Sequence, residues 1–249
     1  MTVTDLIPVN EDDPGGSNDS QWGRAQVLVK HNTVDNPNIV VNEYIANRIA
    51  IALGIPTPLG DLWFDPSAGE PAWVVAEIGE PGNHFPPPQE AALLSIPEET
   101  RALMEAFDAL IYNTDRHEEN ILADNDGHAW VVDHDGALFG NIKGNRATGL
   151  LSTKGRYDYD PMGFWGKLPA TSEARERAIA HIRAGLALSA IESPVWHLYN
   201  LGLLRAPERQ AVIESLSDRR AMIGSIVRRR PGAAVGKQGL LTDEGGDFE

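Results

Sequence analysis

Asp115, Asn120 and Asp133 are three oxygen-bearing side chains in one short stretch, FDALIYNTDRHEENILADNDGHAWVVDHDGALF, that begins at Phe107. The run Asn113-Thr114-Asp115-Arg116-His117-Glu118-Glu119-Asn120 sets eight polar residues between two apolar segments, more than a simple connection needs. Phosphoryl transfer suits this inventory. It requires a carboxylate beside the attacking hydroxyl and oxygen ligands for a metal on the nucleotide phosphates, with little covalent participation by the protein. Asp115 matches the first need, and Asn120 with Asp133 matches the second. The Asp-to-Asn spacing of five is weak evidence alone, since Asp5/Asn10, Asp13/Asn18 and Asp108/Asn113 repeat it. Only Asp115/Asn120 is followed by two strand-like runs, Ile121-Leu122-Ala123 and Trp130-Val131-Val132. The turn formers Asn125-Asp126-Gly127 between them predict a hairpin that brings Asn120 and Asp133 together.

A helix must deliver this loop. Leu103, Phe107, Leu110 and Ile111 form an apolar stripe, and Ser95 with Glu98 has the spacing of a capping box, so a helix is expected from Ser95 into the loop. Upstream, Asn38 to Leu53 places Val41, Ile45, Ile49 and Leu53 on one helical face, with Gly54 and Pro56 as stop signals. Before it lie a turn-rich stretch containing Gly15, Gly16 and Ser17 and an apolar strand, Ala25 to Val29, closed by Lys30. A glycine turn, a strand ending in Lys and a helix carrying Glu, here Glu43, follow the order of the small lobe of kinases. There the Lys holds the α- and β-phosphates and pairs with the Glu. The glycines and the Ser17 hydroxyl would then approach the phosphates. His117 either donates to a phosphate or orients its own loop, and Arg116 has the same choice between a phosphate and a structural carboxylate.

Two blocks carry a family resemblance. Asp115-Arg116-His117-Glu118-Glu119-Asn120 is similar to the DRHxxN loop of phosphatidylinositol 3- and 4-kinases, and Val132-Asp133-His134-Asp135-Gly136 to their metal-binding segment. The chain more closely resembles the HipA-like kinases, whose pattern "FDALIxNTDRHxxN", then "W-hydrophobic-IDHG", is matched almost residue for residue. The segment from Val41-Asn42-Glu43-Tyr44 to Leu53-Gly54-Ile55-Pro56-Thr57-Pro58 also resembles their "NEYxAxRLAxxLGxPxP" stretch. One departure is Asp135 where that group often has Gly, a carboxylate that either binds a second metal or faces water.

The resemblance covers roughly residues 14–140 and implies an α+β, two-lobed protein-kinase-like fold. Its expected parts are a β-rich N-lobe (1–78), a hinge or linker (79–88), a helical C-lobe (89–229) and a disordered tail (230–249). It implies ATP and Mg²⁺, with Glu77 and Ile78 as hinge residues against adenine and a protein Ser or Thr as acceptor. A small-molecule or lipid kinase of the same fold and a catalytically silent nucleotide-binding module remain as alternatives. Thr171 or Ser172 is expected to cap a helix to about Ala190, Ser193-Pro194 to start a shorter one, and Pro207 to open the last, to about Arg229. Residues 140–170, rich in glycine, read as the segment that follows the metal ligand in kinases, with Tyr157, Tyr159, Phe164 and Trp165 anchoring it.

Composition narrows the classes. Thirty-six acidic against 21 basic residues give a formal charge of -15, which opposes nucleic acid and anionic membrane surfaces as partners. No apolar run approaches the ~20 residues of a membrane span, and the acidic start is unlike a secretory signal, so a cytoplasmic protein is expected. The chain has no cysteine, which excludes disulfides and thiolate metal sites.

Overall fold

A computed structural model describes residues 3–7, 22–64, 69–78, 90–124 and 127–229. The expected phosphate turn at Gly15, Gly16 and Ser17, the linker 79–88, the turn residues Asn125 and Asp126 and the tail 230–249 lie outside the described residues. The chain folds as a mixed α+β structure with small antiparallel sheets and a larger helical part.

Strands β1 (Val3–Ile7) and β2 (Trp22–Ala25) pair with each other. Strands β3 (Val27–Lys30), β4 (Gly60–Phe64) and β5 (Pro71–Ala76) form a second sheet in the order β3-β5-β4. Trp73 of the central strand is paired with Lys30 on one side and Leu62 on the other. A Cβ at Gly60 would lie 2.2 Å from its indole, so glycine is what lets the ring cross beneath β4. Between β3 and β4 the chain makes α1 (Ile39–Ala52), whose Val40, Ile45, Ala46 and Ile49 are fully buried. Its polar residues Asn42, Glu43 and Asn47 are buried too, as expected of a helix packed on more than one side.

The helical part comprises α2 (Glu90–Ser95), α3 (Glu98–Ile111), α4 (Arg146–Leu151), α5 (Phe164–Lys167), α6 (Ser172–Gly185), α7 (Leu188–Asn200) and α8 (Ala206–Arg228). Helix α3 packs on α6 and α8, while α7 packs on α8 and on α1. Strands β6 (Ile121–Ala123) and β7 (Ala129–Val131) form the expected hairpin. It is bonded to the segment after α1, because Val131 N–H donates to the Pro56 carbonyl and the Thr57 hydroxyl to the Val131 carbonyl. Among the described residues no helix is long and apolar enough to cross a membrane.

Several boundaries differ from expectation. Ser95 ends α2, its hydroxyl donating to the Ala92 carbonyl at 2.7 Å, and α3 begins only after Pro97. Pro97 itself is non-helical (φ -52°, ψ 137°), which separates the two helices, and proline biases the residue before it away from helical dihedrals. Glu98 instead accepts the backbone N–H of Thr171, and Thr171 caps α6 through Ala174 N–H at 3.2 Å. Helix α6 stops at Gly185 because Leu186 leaves helical dihedrals (φ -85°, ψ 96°) with its side chain fully buried. Pro194 sits inside α7 rather than at its start. Residues 140–170 contain α4 and α5, with Tyr159, Phe164 and Trp165 buried as anchors and Tyr157 exposed.

Candidate active site

The loop after α3 is held from below by one buried carboxylate. Asp108, with no exposure, accepts Arg116 Nε and Nη2 at 2.9 and 3.0 Å, Asn113 Nδ2 at 3.1 Å and Trp165 Nε1 at 2.9 Å. Arg116 also donates to the carbonyls of Asn120 (2.5 Å) and Val132 (2.7 Å), tying the loop to the strand that ends at Asp133. Both lie in the interior, so Arg116 serves the structural carboxylate of the two roles open to it. Tyr112 ends α3 in the left-handed region (φ 52°), and its turn is closed by Asn113 N–H to the Asp108 carbonyl at 2.9 Å.

On this base Asp115 is exposed while its surroundings are fixed. Its N–H donates to Asn113 Oδ1 at 3.2 Å, and its carbonyl accepts Asn120 Nδ2 at 2.9 Å. Asn120 Nδ2 is thereby engaged, and Oδ1 is the acceptor atom that this bond does not use. Gly136 allows the next layer to approach, because a Cβ there would stand 2.6 Å from Asp115 Cβ. The β6–β7 pairing continues past the hairpin with Val132 N–H to the Asn120 carbonyl at 3.1 Å, which sets Asn120 opposite Val132, the residue before Asp133. Asp133 itself has φ 55°, a conformation uncommon for a non-glycine residue and found where surrounding structure over-determines the backbone.

Three elements converge on Asp133. Lys30 Nζ, at the end of β3, lies 2.5 Å from Glu43 Oε1 of α1 and 3.0 Å from Asp133 Oδ1. Glu43 Oε2 meets His134 Nδ1 at 3.2 Å. Burial pulls the Lys30 pKa down, but the Glu43 and Asp133 carboxylates outweigh it and leave the ammonium more firmly protonated than usual. Burial likewise pushes Glu43 up, but His134 and then Lys30 bring it down to about 2. Asp135 moves the other way, to about 6, because it is partly buried and lies beside Asp133; Asn36 Nδ2 donates to its Oδ2 at 2.9 Å.

A cavity of about 320 Å³ opens onto this cluster. Its apolar wall includes Val27, Trp73, Val75 and Leu122, and its polar end is made by Lys30, Glu43, Asp133 and His134. Glu77 and Ile78 also line it; Glu77 N–H is already used by the Gln26 carbonyl at 3.1 Å. Such a volume, apolar with a few convergent polar groups, is of the size that takes a small ligand. Lys30, Glu43, Asp133, Glu77 and Ile78 thus share one cavity, whereas Asp115 and Asn120 are not part of its lining; Asn120 is tied to it through the backbone of Val132, which lines it. His117, half-buried at the start of a 3₁₀ turn (Glu118–Asn120), is not part of its lining. Among the described residues no three His, Asp or Glu side chains form a metal cage. Mg²⁺ on a nucleotide does not need one, since one or two protein oxygens and the phosphates suffice.

The sequence pattern did not reveal Asp108 as the hub, because its spacing to Asn113 duplicates that of the proposed catalytic pair. An acid on the inward side of an amphipathic helix was the available signal. His134 stood in plain sight within the Asp-His-Asp-Gly run, but nothing local says that it reaches Glu43, 91 residues away.

No protein-family model matches the sequence, and no curated protein matches it. Solved structures do match. The proinflammatory kinase CtkA of Helicobacter pylori is similar over 82% of this chain and 89% of its own, with a TM-score of 0.55 and 14% identity. HipA of Shewanella oneidensis MR-1, in a complex with HipB and operator DNA, matches over 84% of this chain and 61% of its own, at a TM-score of 0.40 and 14% identity. The second score is too low to build on. The first shows the fold, and the fold of this chain is kinase-like.

Proposed function

We propose that this chain is an ATP- and Mg²⁺-dependent kinase that transfers the γ-phosphate to a hydroxyl, with Ser or Thr of a protein as the acceptor class. The observation that carries the reading is Lys30, held between Glu43 and Asp133 at the polar end of the cavity. In this reading residues 1–78 and 89–229 are two lobes, and ATP lies between them with adenine toward Glu77 and Ile78. Gly15, Gly16, Ser17 and His117 are assigned to the phosphates by sequence resemblance.

Each residue has a physical task. Lys30 offers a fixed ammonium to the phosphates, and its two carboxylate neighbours keep it charged. Asn120 Oδ1 and the Asp133 carboxylate would hold Mg²⁺, which when bound neutralises charge on the phosphate oxygens. Asp115, exposed and rigidly mounted, orients the acceptor hydroxyl and accepts its proton as the oxygen bonds to the γ-phosphorus and the bond to ADP breaks. Most of the acceleration comes from positioning and charge stabilisation.

The test is intact mass of the protein and of a generic protein acceptor after incubation with ATP and Mg²⁺, beside Asp115→Ala and Asp133→Ala. A phosphate-sized gain is expected with the native chain and a loss of about 10²-fold or more in rate with each variant. Native rates in either variant would defeat the residue assignment. A gain of AMP size would make the chain a nucleotidyl transferase. Consumption of ATP with no protein modified would point to a small-molecule acceptor, and nucleotide binding without turnover to a silent module.

A further inference from the structure

We propose that His134 is a positioning residue of this site, the clamp that fixes Glu43 and, through it, Lys30. The two oxygens of Glu43 are divided between partners, with Oε1 on Lys30 at 2.5 Å and Oε2 on His134 Nδ1 at 3.2 Å. A carboxylate can only accept, so Nδ1 is the ring nitrogen that carries the proton. His134 directly follows Asp133, and Asp133 Oδ1 is 3.0 Å from Lys30 Nζ. The contacts therefore close a ring from Lys30 to Glu43, to His134, along one peptide to Asp133 and back to Lys30.

The ring is anchored at its far corner. His134 is 2% exposed, and its imidazole meets the fully buried Phe107 of α3 edge to face, with centroids 5.7 Å apart. On α1 the residue before Glu43 repeats the fastening. Asn42 Nδ2 donates to the Asp135 carbonyl at 2.7 Å, and its Oδ1 accepts Phe139 N–H at 3.3 Å. Adjacent residues of α1 are thus bonded to the segment that carries Asp133.

The consequence concerns Lys30, which has two carboxylates within reach. While Glu43 is held by His134, Lys30 is drawn toward α1 and shares Asp133 only in part. Releasing Glu43 gives a long side chain back its rotamers and leaves the ammonium on Asp133, where it competes with a cation for the same oxygens. His134 therefore acts on binding of Mg·ATP more than on the transfer step. This catalytic consequence rests on the kinase reading; the clamp is a property of the unliganded protein.

The experiment compares wild type with His134→Phe, which keeps the ring against Phe107 and removes the donor, and His134→Asn, whose amide nitrogen sits where Nδ1 does. In phosphotransfer assays H134F is expected to raise KM for Mg·ATP about tenfold with kcat changed less than about threefold, and H134N to return KM most of the way. Unchanged KM in H134F, or H134N no better than H134F, overturns the proposal. Should H134F not fold, H134L takes its place with the same expectations. If the wild type transfers no phosphate, the kinase reading fails, and backbone hydrogen exchange of residues 39–45 in the nucleotide-free proteins decides the clamp. Exchange about tenfold faster in H134F and restored in H134N supports it, and equal exchange in all three overturns it.

Discussion

Asp108 and Asp115 are chemically identical, each with an Asn five residues later, yet they have opposite tasks. Asp108 has no exposure and four donors, whereas Asp115 faces solvent with only its backbone engaged by neighbours. Removing the first leaves the buried Arg116 guanidinium without its carboxylate, and an uncompensated buried charge costs about 3–5 kcal/mol. Asp108→Ala is therefore expected to lower stability in urea by about that amount, whereas Asp115→Ala leaves the unfolding midpoint within experimental scatter of the native value. Equal midpoints for the two variants would refute the division between hub and site.

Among elements, α8 is the long brace beneath the site. Arg219, 1% exposed, donates to the carbonyls of Ala109 at the end of α3 and of Thr153 and Arg156 in the following segment. Burial brings its pKa down to about 10, so it remains charged at neutral pH, and its position at the carbonyl end of α3 suits a cation. At the start of α8, Glu208 accepts the Arg205 N–H at 2.8 Å and the side chains of Arg146 and Arg205, which tie it to α4 and the helix start. Burial pushes the Glu208 carboxyl up, but Arg146 and Arg205 carry it down to about 2. A carboxyl whose folded pKa is depressed stabilises the fold above its unfolded pKa, and that contribution drains away as pH falls from about 4.5 toward 2. Glu208→Gln should unfold more readily than the native protein at pH 7 and show a shallower loss of stability in that acid range. A melting series at constant ionic strength reads both, and parallel curves would contradict the assignment.

At the scale of the molecule the sheet β3-β5-β4, α1 and the β6–β7 hairpin meet at one cavity, with α3 to α8 as its foundation. Helix α1 is shared between the parts: it underlies the sheet and also packs on α7, where Tyr44 stacks on His197 at 5.6 Å. A ligand bridging these elements must stabilise the whole fold by mass action, by about 2.7 kcal/mol at a hundredfold excess over its dissociation constant. Mg·ATP is accordingly expected to raise the thermal midpoint, Lys30→Met to remove most of that shift, and chelation of Mg²⁺ to reduce it in the native protein. A shift that survives both changes would place nucleotide elsewhere.

What the sequence determined by itself was local. Apolar periodicity marked Asn38 to Leu53 as a helix, observed as α1, and the two runs around Asn125-Asp126-Gly127 as the β6–β7 hairpin. The hairpin by itself set Asn120 opposite Val132, one residue before Asp133, since strand register follows the pairing of the two runs. Proline and local dihedrals shifted the edges of α3, α6 and α7 from the pattern's expectation. Tertiary structure decided the rest. Trp196, a large apolar ring, is 43% exposed with the Arg209 guanidinium 4.0 Å above it, because α7 turns that face outward. Lys30 meets Glu43 and Asp133, Asp108 meets Trp165, and Glu43 meets His134 only because separate elements pack together. Periodicity reports which side of a helix or strand is buried; it carries no information about which distant side chain waits there, and at this site those long-range pairings determine where every charge stands.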